Sequence, residues 1–123
     1  PHNDSCRLCD QAPETAAHLT LQCCYARQVW HLALGANGWV QNDGLSTTSV
    51  SEWWRIFCTH SGATARIEAD LTLAAYIAWH LWKERNRRVF EDKELTPRAV
   101  ASLISDDIKL LNEALNPPTM AER

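Results

Sequence analysis

The chain has 123 residues, 46% hydrophobic and 22% charged, with six tryptophans, five cysteines and a formal net charge of −3. That composition fits one domain with a modest core and excludes a chain disordered throughout. The balance of 15 acidic against 12 basic residues argues against a surface that grips nucleic acid everywhere, and leaves room for a local basic patch.

Nothing reads as a membrane or export segment. The most apolar window, residues 71–82, falls short of the roughly 20 residues that span a bilayer. The N-terminus lacks the basic start and apolar run of a signal peptide. An intracellular protein of nucleus or cytoplasm is expected. Pro1 is not an initiator, so the sequence reads as a fragment or a processed chain.

In chain order, the first feature is CRLCDQAPETAAHLTLQCC, from Cys6 to Cys24. Cys6, Cys9, His18 and Cys23 are spaced C-x2-C-x8-H-x4-C. A C-x2-C turn lets two thiolates face one ion, and a histidine and a later cysteine can close a tetrahedron at about 2.0–2.3 Å per ligand. Four protein ligands leave no open position, so the site would hold one structural Zn²⁺. A disulfide framework fits less well, because the cysteine count is odd and no secretory context is visible. A thioredoxin-like C-x-x-C would need a βαβ setting. The adjacent Cys24 competes with Cys23 for the fourth position. Cys58 reads as a buried free thiol. Asn3-Asp4-Ser5 matches a glycosylation pattern that is short and frequent by chance.

Leu19 and Leu21 are expected to pack beneath the knuckle, and beyond it Ala26, Val29, Trp30, Ala33 and Leu34 recur at helical spacing. The glycines at 35 and 38 end that helix. Residues 41–50 read as an exposed loop. Ser51 caps a short helix carrying Trp53, Trp54 and Phe57. Gly62 and Ala63 mark a break. A long helix over 64–91 follows, with one stripe of Ile67, Leu71, Ala74, Ala75, Ala78 and Trp82. Leu73, Tyr76, Ile77, Trp79 and Leu81 make its middle apolar nearly all round, which predicts a central, enclosed helix. Thr96-Pro97 starts a last amphipathic helix with Val100, Leu103, Ile104, Ile108, Leu111 and Leu115 on its apolar side, stopped by Asn116-Pro117-Pro118. The expected architecture is all-α: a single domain over 1–123, with a CCHC zinc knuckle at 1–24, a bundle of about four helices within 25–116, and a tail at 117–123.

The stretch from Cys6 to Trp30 resembles the zinc-binding domain of plant reverse-transcriptase-like proteins. These are polyproteins of LINE-type (non-LTR) retrotransposons and their domesticated relatives. The matching elements are Cys6, Cys9, Glu14-Thr15, His18-Leu19, Cys23 and Val29-Trp30. Residues 77–91, IAWHLWKERNRRVFE, are similar to the family's tryptophan-rich helix running into W-K-x-R-N-x-x-x-F. The resemblance covers roughly residues 1–95. It implies Cys23 as the fourth ligand; the next position, often proline in the family, is Cys24 here. It also implies a non-catalytic accessory region of a reverse transcriptase that contacts RNA or DNA.

The candidate nucleic-acid residues are Lys83, Arg85, Arg87 and Arg88, which could reach phosphates, and Arg7 and Arg27, which flank the knuckle with His2 and His31 nearby. The run at 83–88 has a plainer explanation. Basic residues favour a helix C-terminus, and Glu84 to Arg88 is an i,i+4 pair. His80 reads as a hydrogen-bonded core histidine. Asp106-Asp107 and Glu68/Asp70 fall on expected solvent faces. No phosphate-binding glycine loop or hydrolase triad is present, so no enzyme is expected. A domesticated protein-interaction module is the alternative, with a protein partner or a second copy docking on the tryptophans or on helix 97–115.

Overall fold

The computed structural model describes residues 4–36, 55 and 64–116. The expected loop at 41–50, the helix after Ser51, the break at 62–63, the thiol of Cys58 and the tail at 117–123 lie outside the described residues. Within them every regular element is helical, as the sequence patterns require: α1 (Cys24–Ala36), α2 (Thr64–Asn86) and α3 (Pro97–Leu115).

The chain enters through a tight loop. Cys6 N donates to Ala12 O at 2.7 Å and Glu14 N to Asp4 O at 2.7 Å, bracketing a single antiparallel bridge between Ser5 and Pro13. The reversal is completed by Asp10, whose φ of 57° places it in the left-handed region that aspartate tolerates better than most residues. Thr15 Oγ1 then accepts from His18 N at 3.0 Å, opening a helical turn that widens into a single π turn, His18–Gln22. Cys23 is extended, which breaks that turn, and its carbonyl accepts from Arg27 N at 2.9 Å to begin α1.

α1 buries Tyr25, Ala26, Val29, Trp30, Ala33 and Leu34 along one face. That stripe packs chiefly against α3, and Leu19 and Leu21 are buried in the same core, together with Cys6 and Cys23 of the knuckle. The Trp30 indole donates to Thr20 O at 2.7 Å, tying the π turn to α1. α3 starts where Thr96-Pro97 predicts: Thr96 Oγ1 accepts from Ala99 N at 3.1 Å, a cap of about 0.5–2 kcal/mol. Its buried face is narrower than expected, with Val100, Ala101 and Ile104 inside but Leu103 and Leu115 exposed.

The stripe expected on α2 is displaced. Its buried face runs Leu73, Ala74, Ile77, His80, Leu81 and Glu84, while Trp79 is 55% and Trp82 44% exposed. α2 is therefore not enclosed all round. An apolar side chain does not have to be buried, and here the long polar residues His80 and Glu84 take inward positions because each meets a partner. After Asn86 the helix continues as a π turn, Arg87–Glu91, and stops at Asp92, again left-handed with φ 54°. No described helix is long and apolar enough to cross a membrane.

Candidate metal centre

The loop, the π turn and the extended residue just before α1 each contribute to one cluster. Cys6, Cys9, His18 and Cys23 place their ligand atoms within 4.8 Å of one another. Cys6 Sγ and Cys23 Sγ are 3.8 Å apart, and Cys9 Sγ and His18 Nε2 are 3.3 Å apart. Ligands about 2.0–2.3 Å from a tetrahedral ion are separated by about 3.3–3.8 Å. The four side chains are thus placed to bind one metal ion. The described cysteines are free thiols, and the Cys6–Cys23 separation of 3.8 Å is far beyond the roughly 2.0 Å of a disulfide. Cys24, the first residue of α1, is exposed and stands outside the cluster.

Burial shapes the thiols. Cys6 and Cys23 are buried and Cys9 is half-buried. Burial pushes the Cys23 thiol far above its usual range, and the charge of Cys6 adds to that. Cys9 is also raised, first by burial. Clustered thiols resist ionising together, and a bound divalent cation reverses that preference. The Leu8 amide donates to Cys6 Sγ at 3.4 Å, partial positive charge aimed at sulfur.

The loop is fastened to the bundle by residues the sequence hides. Glu84 is fully buried, with 0% exposure. It accepts from Arg87, from Arg88 Nε at 2.8 Å and from the Leu95 amide at 2.9 Å. Arg88 then reaches the loop, its Nη1 donating to Arg7 O at 3.2 Å and Leu8 O at 3.1 Å, and it stacks 4.8 Å from the Tyr25 ring centroid. Tyr25 donates to Leu95 O at 2.6 Å. Glu14 forms a second tie, accepting from Arg7 N and from Arg85 Nε, each at 3.1 Å.

The six basic candidates therefore divide. Arg85, Arg87 and Arg88 are engaged in ion pairs with Glu14 and Glu84, their side chains 23%, 19% and 14% exposed. Lys83 lies over the Trp79 ring at 5.9 Å, and Arg85 over Trp82 at 5.1 Å. The side chains of Arg7 and Arg27 are exposed. The plain i,i+4 pair expected from Glu84 to Arg88 exists, but inside the protein rather than on a solvated helix end.

The carboxylates expected on solvent faces also divide. Asp70 is buried. Asp107 turns toward α2, its Oδ2 2.6 Å from the Nε2 of His80, which is 3% exposed. Asp106 is exposed. His80 is thus a hydrogen-bonded core histidine. The signal that could have found the His80 partner was one of need: a histidine inside an apolar helix requires one, whereas Glu84, within the polar run 83–88, gave no such signal. Comparison with family models, with curated proteins and with solved structures gives no match for this chain.

Proposed function

We propose that Cys6, Cys9, His18 and Cys23 hold one structural Zn²⁺, and that the domain is a non-catalytic accessory module of a retrotransposon-type reverse transcriptase, assisting RNA or DNA binding. The observation that carries the metal reading is the convergence of the four ligand atoms. Three thiolates and an imidazole suit zinc among the common divalent ions, and four protein ligands leave no position for a substrate. The accessory role rests on the resemblance of 6–30 and 77–91 to that family. The test is elemental analysis of purified protein beside Cys6→Ser and Cys9→Ser. About one zinc per chain, lost in both variants, is the expected result. A folded protein without metal overturns it.

A second reading, a protein-interaction module, is favoured by a specific observation. Arg85, Arg87 and Arg88 are bound to carboxylates, while Trp79 and Trp82 are exposed. Salt-dependent binding of single-stranded RNA separates the two readings. Lys83→Ala is the clean substitution in that run, because changing Arg87 or Arg88 would also break the core network.

A further inference from the structure

Between α1 and the first turn of α3 lies an open cleft of about 400 Å³ lined by Arg27, Gln28, His31, Leu32 and Arg98. Arg27 and His31 are one helical turn apart on α1, and Arg98 faces them from α3. Among the described residues, and unlike Arg85, Arg87 and Arg88, none of these three side chains has an ion-pair or hydrogen-bond partner, and none of those lining the cleft is a carboxylate. In a chain of net charge −3, two guanidinium groups and an imidazole gathered without a counter-charge are a local inversion of the surface. The helix end contributes little, since the Ala99 amide is already held by Thr96 and Pro97 has none. The side chains carry the charge.

We propose that this cleft binds the phosphate backbone of a single-stranded nucleic acid. Two guanidinium groups match the bidentate geometry of phosphate oxygens. The Gln28 amide and the His31 ring supply further hydrogen-bonding groups beside them. A shallow, open cleft suits a polymer that passes across it better than a small ligand that needs enclosure. The cleft is not part of the metal centre, and it gives the proposed nucleic-acid role a location that the run at 83–88 does not. The inference rests on that nucleic-acid reading and deepens it.

The test uses the zinc-loaded chain and a fluorescein-labelled oligouridylate, with affinity measured by anisotropy from about 50 to about 200 mM NaCl. Arg27→Gln with Arg98→Gln is expected to weaken binding at least tenfold at the lower salt. It should also reduce the slope of log K against log salt by about 1.4, two contacts at about 0.7 each for a single strand. Neither arginine has a side-chain partner among the described residues, so the helical spectrum and zinc content should match the parent. Lys109→Ala, exposed on α3 outside the cleft, is the control and should bind as the parent does. Binding by the double variant within twofold of the parent overturns the cleft while leaving nucleic-acid binding in place. An equal loss in Lys109→Ala also overturns the cleft, by making the effect one of general charge. A parent chain that binds no oligonucleotide at low salt overturns the nucleic-acid reading itself, and the cleft with it.

Discussion

Glu84→Gln tests the link between the metal loop and the bundle. The substitution keeps the shape of the side chain and removes its charge. Glu84 is fully buried and accepts from three donors: Arg87, Arg88 and the Leu95 amide. A glutamine in its place has one acceptor oxygen and an amide group that must face a donor. Removing one partner of a buried ion pair costs about 3–5 kcal/mol. The arginine side chains keep 19% and 14% exposure, so water can recover part of their solvation, which places the expected loss at the low end, about 3 kcal/mol. For a domain of this size each kcal/mol lowers the melting midpoint by about 4 °C, so a fall of about 12 °C is expected. Thermal and urea unfolding of the zinc-loaded chain, followed by far-ultraviolet circular dichroism, would measure it. A cycle with Arg88→Met should show coupling of at least about 1 kcal/mol. A loss below about 1 kcal/mol, the level of an exposed pair, would refute the reasoning.

Cys23→Ser is expected to lose the metal and Cys24→Ser to retain one ion per chain; equal loss from both, by elemental analysis, would mean that Cys24 also serves as a ligand. Burial, with the negative charge of Glu84 second, pushes the Tyr25 phenol from its ordinary 10.0 to about 12. A raised folded value means that the stability it contributes is fully present below about pH 10 and is lost as pH rises through about 12. Tyrosinate absorbance in a Tyr76→Phe background would contradict this if Tyr25 titrated at its ordinary value. Asp107→Ala takes the partner of the buried His80 ring and should cost about 1–3 kcal/mol in urea unfolding, whereas Asp106→Ala, on the exposed neighbour, should stay within about 0.5 kcal/mol. Chelation of the metal should speed exchange of the Trp30 indole N–H, which bonds Thr20 O, while most of the helical signal persists. Loss of the whole helical signal would show instead that the metal holds the entire bundle.

The parts legible in the sequence are those set by local chemistry. Thr96-Pro97 fixes the start of α3 because a cap and a proline act within one turn. The C-x2-C-x8-H-x4-C spacing brings its four residues together because short connections leave few ways to fold. The face of α2 was not legible. With Leu73, Tyr76, Ile77, Trp79, Leu81 and Trp82 arranged nearly all round, apolar periodicity no longer selects a side. The side is chosen by polar partners that apolar periodicity does not register: Asp107, from α3, draws His80 inward, and Arg88, one turn on, and the Leu95 amide do the same for Glu84. In KERNRR the glutamate looks like one more surface charge, and only the position of the knuckle shows why it is buried.

The same network changes what the metal has to accomplish. Structural zinc contributes about 10–16 kcal/mol in peptides that are unfolded without it, enough by sequence reasoning to decide whether the N-terminal quarter folds at all. Here the loop also has protein bonds of its own. Cys6 N, Asp10 N and Glu14 N donate to main-chain oxygens within it, Arg7 N donates to Glu14, and Arg88 donates to two of its carbonyls. Six such bonds at about 0.5–1.5 kcal/mol each come to several kcal/mol. Part of the cost of ordering the ligands is thereby met before any ion binds, and more of the binding energy of a metal held there would be expressed as affinity. The route from metal to bundle runs from the Arg7 and Leu8 carbonyls to Arg88, then to Glu84, and from there to the Leu95 amide one residue before the cap of α3. That route accounts for a dense arginine run in an acidic chain: its charges neutralise Glu14 and Glu84 and join three segments. The cationic side chains left facing outward at the α1–α3 cleft are Arg27 and Arg98, which take no part in that network.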